Sequence, residues 1–165
     1  MQLDTEVKSQ DLIFSKEVLK ISRNGYFLLN YGNNYMDKEN NLSFISEIYI
    51  EKGIIFIKLN IQYDFNSRCG RCLRVEYQKD NQTLDTSVNL NLDNDYEINY
   101  NQPFYDLAPF ISELIIEKMN NNFICDSNCK GLCTHCGVDL NLEKCNHEEK
   151  NLKESPFSSL SQLDL

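Results

Sequence analysis

The sequence predicts an α+β fold in which a mostly antiparallel sheet carries one packed helix and a Cys-rich C-terminal loop. Three observations support this: apolar residues alternate with polar ones through the middle of the chain, one apolar stripe has helical spacing, and seven cysteines fall into two groups. We divide the chain into an N-terminal segment (1–41, partly ordered), a unit of sheet and helix (42–124), a Cys-rich metal-binding loop (125–147) and a tail (148–165).

Strands are predicted where apolar residues occupy every second position. The strongest example is 55–65, which follows a Lys-Gly turn at 52–53, and the run 42–50 before the turn has the same pattern. Shorter alternating runs at 73–77 and 84–92 predict two further strands. Because the connections between these runs are short, we expect an antiparallel meander.

One helix is predicted after Asp106, which can cap it, with Pro109 in the first turn, where its missing N–H costs little. Its apolar stripe has the spacing of one helix face and consists of Leu107, Phe110, Ile111, Leu114, Ile115 and Met119. Nearer the N-terminus the pattern is mixed: 11–15 and 26–29 are compatible with short strands, and the Asn-rich stretch 30–41 is predicted to be a loop.

The chain is acidic, with a formal net charge of −9. Proteins that coat nucleic acid are normally basic, because released counterions supply their affinity, so broad nucleic-acid coating is not expected. The longest strongly apolar run, 54–57, is far shorter than the ~20 residues that span a bilayer, so we expect no membrane contact. No secretory signal is visible, which places the protein in the cytoplasm, with an organelle stroma as the alternative.

The cysteines are the main indication of a site, because in a reducing compartment clustered cysteines predict metal ligands before disulfides. The run Cys-Thr-His-Cys-Gly at 133–137 resembles a zinc knuckle, and tetrahedral zinc takes four N or S ligands, with iron as its competitor. We expect about one Zn²⁺ per chain, since ligands close in sequence lose little loop-closure entropy. Four of the following residues would hold it: Cys125, Cys129, Cys133, Cys136, Cys145 and His147.

Cys69 and Cys72 form a second Cys-x-x-Cys pair, located between two predicted strands at a hairpin tip. Three interpretations remain open. The pair can join Cys133 and Cys136 as the second knuckle of one zinc ribbon, act as a thiol redox pair, or be the remnant of an ancestral site. A redox pair usually has a helix N-terminus to lower the thiol pKa, and the strand context supplies none.

Three of the four arginines, Arg68, Arg71 and Arg74, surround this second pair. Arginine binds phosphate with a planar fork of donors, so these residues are candidates for contact with RNA or with a protein partner. The alternative is a solvated hairpin tip. Of the two histidines, His135 is expected to face solvent. No Ser-His-Asp or Cys-His-Asn arrangement, Gly-rich phosphate loop or two-His metalloprotease motif is present in the sequence, so we expect neither catalysis nor a small-molecule substrate.

Several motifs together resemble the YceD family, over about residues 42–163. Cys-Gly-Arg-Cys-Leu at 69–73 is similar to the family's C-x-R-C-L signature, and Tyr-Asp-Leu at 105–107 opens the helix in the same order. The most specific part is Cys-Lys-Gly-Leu-Cys-x-x-Cys-Gly at 129–137, followed by Asp-Leu-Asn at 139–141. Where the family usually ends this motif with Cys-x-Cys, this chain has Cys-Asn-His at 145–147, so His147 stands in the place of a thiolate.

The resemblance implies a non-enzymatic factor in ribosome biogenesis that supports accumulation of large-subunit rRNA. Its partner would be rRNA or a large-subunit ribosomal protein, contacted through the Arg68–Arg74 hairpin. Two functions from other classes are the alternatives: a thiol-disulfide oxidoreductase using Cys69 and Cys72, and a zinc-bearing adaptor that binds only protein. In the tail, Pro156, Phe157, Leu160 and Leu163 form a candidate docking motif.

Overall fold

The computed structural model describes residues 1–15, 17–119 and 121–147, so the candidate docking motif in the tail lies outside the described residues. The secondary structure elements, in chain order, are β1 (Glu6–Lys8), α1 (Ser9–Ile13), β2 (Leu19–Gly25), β3 (Leu29–Tyr31), β4 (Asn34–Met36), β5 (Leu42–Glu51), β6 (Ile54–Arg68), β7 (Val75–Asn89), β8 (Phe104–Asp106) and α2 (Ala108–Lys118).

The long strand β6 organises a six-stranded sheet in which every pairing is antiparallel. Along one edge β6 pairs with β7 from end to end. Its other edge is shared, because β5 pairs with 54–63 and β4 pairs with Asn66 and Ser67. Strand β2 lies outside β5, and β3 lies outside β4. Strands β1 and β8 form a separate antiparallel pair. The predicted antiparallel sheet is therefore confirmed.

The core lies on one face of this sheet, which the main helix α2 covers. Alternate residues of β6 point into it, with Leu59 and Ile61 fully buried. From the helix, the predicted apolar stripe is buried. The N-cap residue is Leu107 and not the predicted Asp106, but the carboxylate of Asp106 accepts the N–H of Ala108 at 2.9 Å and so stabilises the first turn from one residue further out. Among the described residues, none of the helices is long and apolar enough to cross a membrane.

The structure differs from the sequence prediction in β7 and in the N-terminal segment, and it adds strands β1, β2 and β8, which were not predicted. Strand β7 is continuous over 15 residues, where the pattern predicted two shorter strands; its polar middle is held by pairing to β6 along its whole length. Near the N-terminus, 11–15 overlaps the short helix α1 and is not a strand, and the Asn-rich loop contains β4. In β4 and β7 the pairing with β6 outweighs the local propensity of a short or polar segment.

The end of β6 is fixed beside β4, and this positions the hairpin tip. The Ser67 hydroxyl donates a hydrogen bond to Oδ1 of Asn34 at 2.6 Å, and both residues are buried. One residue further on, the N–H of Arg68 donates to the carbonyl of Asn33 at 2.8 Å. A buried polar pair of this kind stabilises the sheet only if both groups remain paired, so it holds the strand end in one position.

Candidate metal centres at the hairpin tip

Four sulfur atoms meet at the tip of the β6–β7 hairpin. Cys69 and Cys72 lie in the turn between the strands, and Cys125 and Cys129 follow α2; we call these four residues the hairpin cluster. All four Sγ atoms lie within 4.8 Å of one another, and two pairs are 3.9 Å (Cys69 to Cys129) and 3.5 Å (Cys72 to Cys125) apart. Tetrahedral zinc with bonds of ~2.3 Å separates its sulfurs by about 3.8 Å, so the arrangement fits such an ion.

Apolar packing and backbone hydrogen bonds enclose the hairpin cluster. Phe123 and Leu132 pack against its buried cysteines. The carbonyl of Phe123 accepts the N–H of Gly70 at 2.9 Å, and the N–H of Leu132 donates to the carbonyl of Arg71 at 3.1 Å. Gly131 has φ +76, and a Cβ there would lie 3.1 Å from the same Arg71 carbonyl oxygen, so glycine permits this close approach.

The turn that holds Cys69 and Cys72 has a closed backbone. The N–H of Arg71 points at Sγ of Cys69 from 3.4 Å. The N–H of Leu73 donates to the carbonyl of Cys69 at 3.0 Å, and the N–H of Cys69 donates to the carbonyl of Arg74 at 2.8 Å. Leu73 has φ +59, a left-handed conformation that glycine adopts at lower cost. The turn therefore keeps both thiols on one side of the tip.

A second group lies nearer the C-terminus. Cys133, Cys136, Cys145 and His147, which we call the C-terminal cluster, have ligand atoms that also lie within 4.8 Å of one another. Cys133 is buried, whereas Cys136 and His147 are exposed. The ring of His135 stacks on that of His147 with centroids 5.6 Å apart, but His135 does not belong to either cluster.

Ionisation of the hairpin cluster is uneven. Burial opposes ionisation of Cys69, but the backbone N–H groups of Cys125, Cys72 and Arg71 outweigh it and lower the pKa of this thiol to about 6. Burial together with the neighbouring thiols raises the pKa of Cys125 to about 12. The thiolate of Cys69 is thus stabilised, while the raised pKa values of Cys125 and Cys72 show that these two thiols resist further negative charge. A divalent cation at the centre relieves that conflict.

The C-terminal cluster repeats this imbalance. The backbone N–H groups of Cys136 and His135 lower the pKa of Cys133 to about 6. The N–H of His147 favours the thiolate of Cys145, but the neighbouring Cys133, burial and nearby charge outweigh it and raise the pKa of that thiol. Both clusters therefore have the donor set and the electrostatic demand of a site for a soft divalent cation.

This grouping differs from the interpretations based on sequence. Cys69 and Cys72 come together with Cys125 and Cys129, not with Cys133 and Cys136 as the zinc-ribbon interpretation proposed. The six C-terminal candidates are divided between two groups, whereas the sequence suggested one ion held mainly within 125–145. All seven cysteines are free, and the Sγ separations exceed the ~2.05 Å of a disulfide.

The three arginines have different surroundings. Arg71 donates from Nη1 to the carbonyl of Cys129 at 3.0 Å and to that of Ser127 at 3.3 Å, so it fastens the segment after α2 to the tip. Arg74 lies 3.7 Å from a carboxylate oxygen of Asp139. Only the Arg68 guanidinium lies on the outer sheet face, 5.8 Å from the ring centre of Tyr35.

Two residues near the clusters were missed by sequence reasoning about ligands. The side-chain amide of Asn141 donates to Sγ of Cys129 at 3.4 Å, and its Oδ1 accepts the N–H of Lys130 at 2.8 Å. Leu73 has a left-handed backbone conformation, which an apolar residue type does not indicate. The Asp-Leu-Asn run at 139–141 was noted only as part of a motif, and its spacing from Cys129 gave no indication of this contact.

The fold and site together define a protein with an antiparallel sheet whose hairpin tip meets a C-terminal segment at cysteine clusters that could hold metal ions. The family model described as large ribosomal RNA subunit accumulation protein YceD matches residues 57–164, which include the tip, α2 and both clusters. The chain therefore belongs to the YceD family, as the motifs indicated.

A curated relative carries the same name. A segment of 59 residues is 37% identical to the large ribosomal RNA subunit accumulation protein YCED homolog 1, chloroplastic, of Arabidopsis thaliana. This match covers 34% of the present chain and 18% of the relative, so most of the relative's length has no counterpart in the match. No solved structure matches the chain.

The two carbonyl contacts of Arg71 give a first prediction. Replacing Arg71 with Ala should speed amide hydrogen exchange in 125–132, because hydrogen bonds from a charged group contribute about 1.5–3 kcal/mol before solvent screening reduces them. Arg71→Lys is the matched control; it keeps the charge but cannot span both carbonyls, so we expect an intermediate effect. Unchanged amide hydrogen exchange in Arg71→Ala would show that these two hydrogen bonds do not stabilise the segment at 125–132.

Proposed function

We propose that this protein is a non-enzymatic factor in large-subunit ribosome assembly that supports the accumulation of large-subunit rRNA. The observation that carries the proposal is the family match over residues 57–164. The name of the Arabidopsis relative supports it. The proposed compartment is the cytoplasm or an organelle stroma, both of which keep thiols reduced and available for a metal.

The oxidoreductase alternative is disfavoured by the surroundings of Cys69 and Cys72. A redox pair must expose its attacking thiolate to a disulfide substrate. Cys69 is fully buried, Cys72 is 6% exposed, and both pack against other cysteines at the tip. This arrangement favours metal ligation over thiol exchange.

The hairpin cluster is proposed to hold one structural zinc ion. Its four ligands would be Cys69, Cys72, Cys125 and Cys129. Closed tetrahedral sites of four thiolates are typical of structural zinc. The segment that supplies two of these ligands contributes few apolar side chains, so the ion would provide much of the free energy that keeps it on the tip.

The proposed contact surface is the outer side of the sheet next to the tip. Tyr35 pairs with Asn66, and Asn66 pairs with Tyr77, so these residues form one row across three strands. Arg68 lies one step above this row and Lys79 one step below it. We call these five residues the tip face. Its two cations each lie against one of its tyrosine rings.

The tip face suits an unpaired stretch of rRNA. Tyrosine rings offer stacking surfaces to unpaired bases, as sheet-based RNA-binding modules do, and Arg68 can meet a phosphate, whereas Lys79 lies 3.9 Å from a carboxylate oxygen of Asp64. Tyr77 is 55% exposed and therefore accessible to a base. Arg68 is more available to phosphate than Arg71 and Arg74, which contact carbonyls and Asp139 respectively. A protein-only adaptor, attracted to a basic ribosomal protein by the charge of −9, is the competing outcome.

Zinc in the hairpin cluster is tested by two double variants of the full chain. Cys69→Ser with Cys72→Ser should lower bound zinc by one equivalent in elemental analysis and destabilise the segment after α2, because two of the four ligands are removed. Cys133→Ser with Cys136→Ser is the matched control, since it alters the other knuckle and should leave the hairpin ion in place. Iron instead of zinc, or no loss of metal in the first variant, would contradict the assignment.

The tip face is tested by the salt dependence of binding to purified large-subunit rRNA. Arg68→Ala should reduce the slope of log K against log salt by about 1, because one phosphate contact is lost. Tyr77→Ala should weaken binding by about 1–3 kcal/mol with an unchanged slope, because a stacking contact is lost. Both variants should also lower co-sedimentation with large-subunit precursors in cells.

Lys58→Ala is the matched control for Arg68→Ala, because Lys58 is an exposed cation on the same strand and the same sheet face, far from the tip. Binding that survives nuclease and responds equally to Arg68→Ala and Lys58→Ala would favour a protein partner. Normal large-subunit rRNA in cells that lack the whole protein would contradict the proposed function itself.

A further inference from the structure

The C-terminal cluster differs from the hairpin cluster in composition, sequence span and exposure. We propose that Cys133, Cys136, Cys145 and His147 form a second zinc site that loads independently and exchanges its ion faster than the hairpin cluster does. This site is separate from the proposed role in rRNA accumulation, and its test does not depend on that role.

The first argument is the backbone of the turn at 133–138, which repeats the turn at 69–74 contact for contact. The N–H of His135 points at Sγ of Cys133 from 3.4 Å, as that of Arg71 does at Cys69. The N–H of Gly137 donates to the carbonyl of Cys133 at 2.8 Å, and the N–H of Cys133 donates to the carbonyl of Val138 at 2.8 Å.

The same left-handed position also recurs in both turns. Gly137 has φ +75, and Leu73 has φ +59 at the corresponding place. Two turns with no other sequence similarity than Cys-x-x-Cys thus share three hydrogen bonds and one unusual conformation. The chain therefore contains two complete metal knuckles, and each has its own pair of additional ligands.

The second argument is the short span of the C-terminal ligands. All four lie within 133–147, whereas the hairpin ligands extend from Cys69 to Cys129. Loop-closure cost grows with the length of chain between the ligands, so the C-terminal cluster gathers its ligands without needing the sheet. Each ion therefore has a complete set of four donors, and neither site borrows a ligand from the other.

The third argument concerns exchange with solvent. Cys136 and His147 are exposed, whereas Cys69 is fully buried and Cys129 is 5% exposed. A chelator can reach the C-terminal ion directly, but reaches the hairpin ion only after the segment at 125–132 moves away. Replacing one thiolate by a neutral imidazole also removes one negative charge from the ligand set, which weakens its hold on a divalent cation.

The weaker hold of this ligand set on a divalent cation has a consequence for its occupancy. Occupancy of the C-terminal cluster follows the free zinc concentration, while the hairpin cluster stays loaded. The two sites are neighbours, since Asn141 donates to Sγ of Cys129 and Asp139 lies beside Arg74, but each keeps its own four ligands.

The test measures zinc release from the full chain, loaded with zinc and mixed with an excess of a chromophoric zinc chelator whose absorbance reports each equivalent released. We expect two equivalents released in two phases, one fast and one slow. His147→Ala should remove the fast phase and leave the slow equivalent. Loss of a residue that hydrogen-bonds to a metal ligand typically lowers metal affinity roughly 10- to 100-fold. His147→Ala removes a ligand itself, so the zinc affinity of the second site should fall by more than this.

His135→Ala is the matched control, because it removes the other histidine of the chain, whose ring stacks on His147 without belonging to the cluster. It should keep both equivalents. Cys136→Ser, at an exposed ligand, provides a second variant that should repeat the effect of His147→Ala. The proposal would be overturned by one equivalent in the unaltered chain, by a single release phase, or by equal effects of the two histidine variants.

Discussion

The segment after α2 carries few apolar side chains, and we propose that a metal ion held by four sulfur atoms keeps it at the hairpin tip. Phe123 and Leu132 provide a small apolar contact, Arg71 donates to two carbonyls, and the sulfurs of Cys69, Cys72, Cys125 and Cys129 lie within 4.8 Å of one another. Thiolates at this separation repel one another, so we propose that the stability of the tip is coupled to binding of a cation.

The sheet prepares this site before any ion binds. Strand β6 is paired along both edges, and the buried Ser67–Asn34 hydrogen bond fixes the end of this strand beside β4. The closed backbone of the turn then directs Cys69 and Cys72 to one side. Because two of the four ligands are preorganised, the entropic cost of assembling the site falls mainly on the short segment that supplies Cys125 and Cys129.

The sequence allowed the sheet and helix to be predicted because their patterns are long. The alternation from Ile55 to Phe65 extends over eleven residues, and the apolar stripe extends over the whole of α2. In patterns of this length the residues that become buried determine the type of secondary structure. The partition of the cysteines was not predictable from spacing. The short loops between the C-terminal cysteines favoured ligation among these residues alone, because short loops lose little entropy on closure. However, folding of the sheet already places Cys69 and Cys72, so a ligand set that spans 69–129 carries little additional entropic cost. Arg71 likewise looked free because its carbonyl partners are remote in sequence.

The most direct test of this account is an anomalous difference map, recorded at the zinc absorption edge, from crystals of the full chain. The account predicts a strong peak surrounded by the four sulfurs of Cys69, Cys72, Cys125 and Cys129, at bonding distances of ~2.3 Å. A map without a peak among these sulfurs, or with an ion bound by Cys69 and Cys72 together with Cys133 and Cys136, would contradict it.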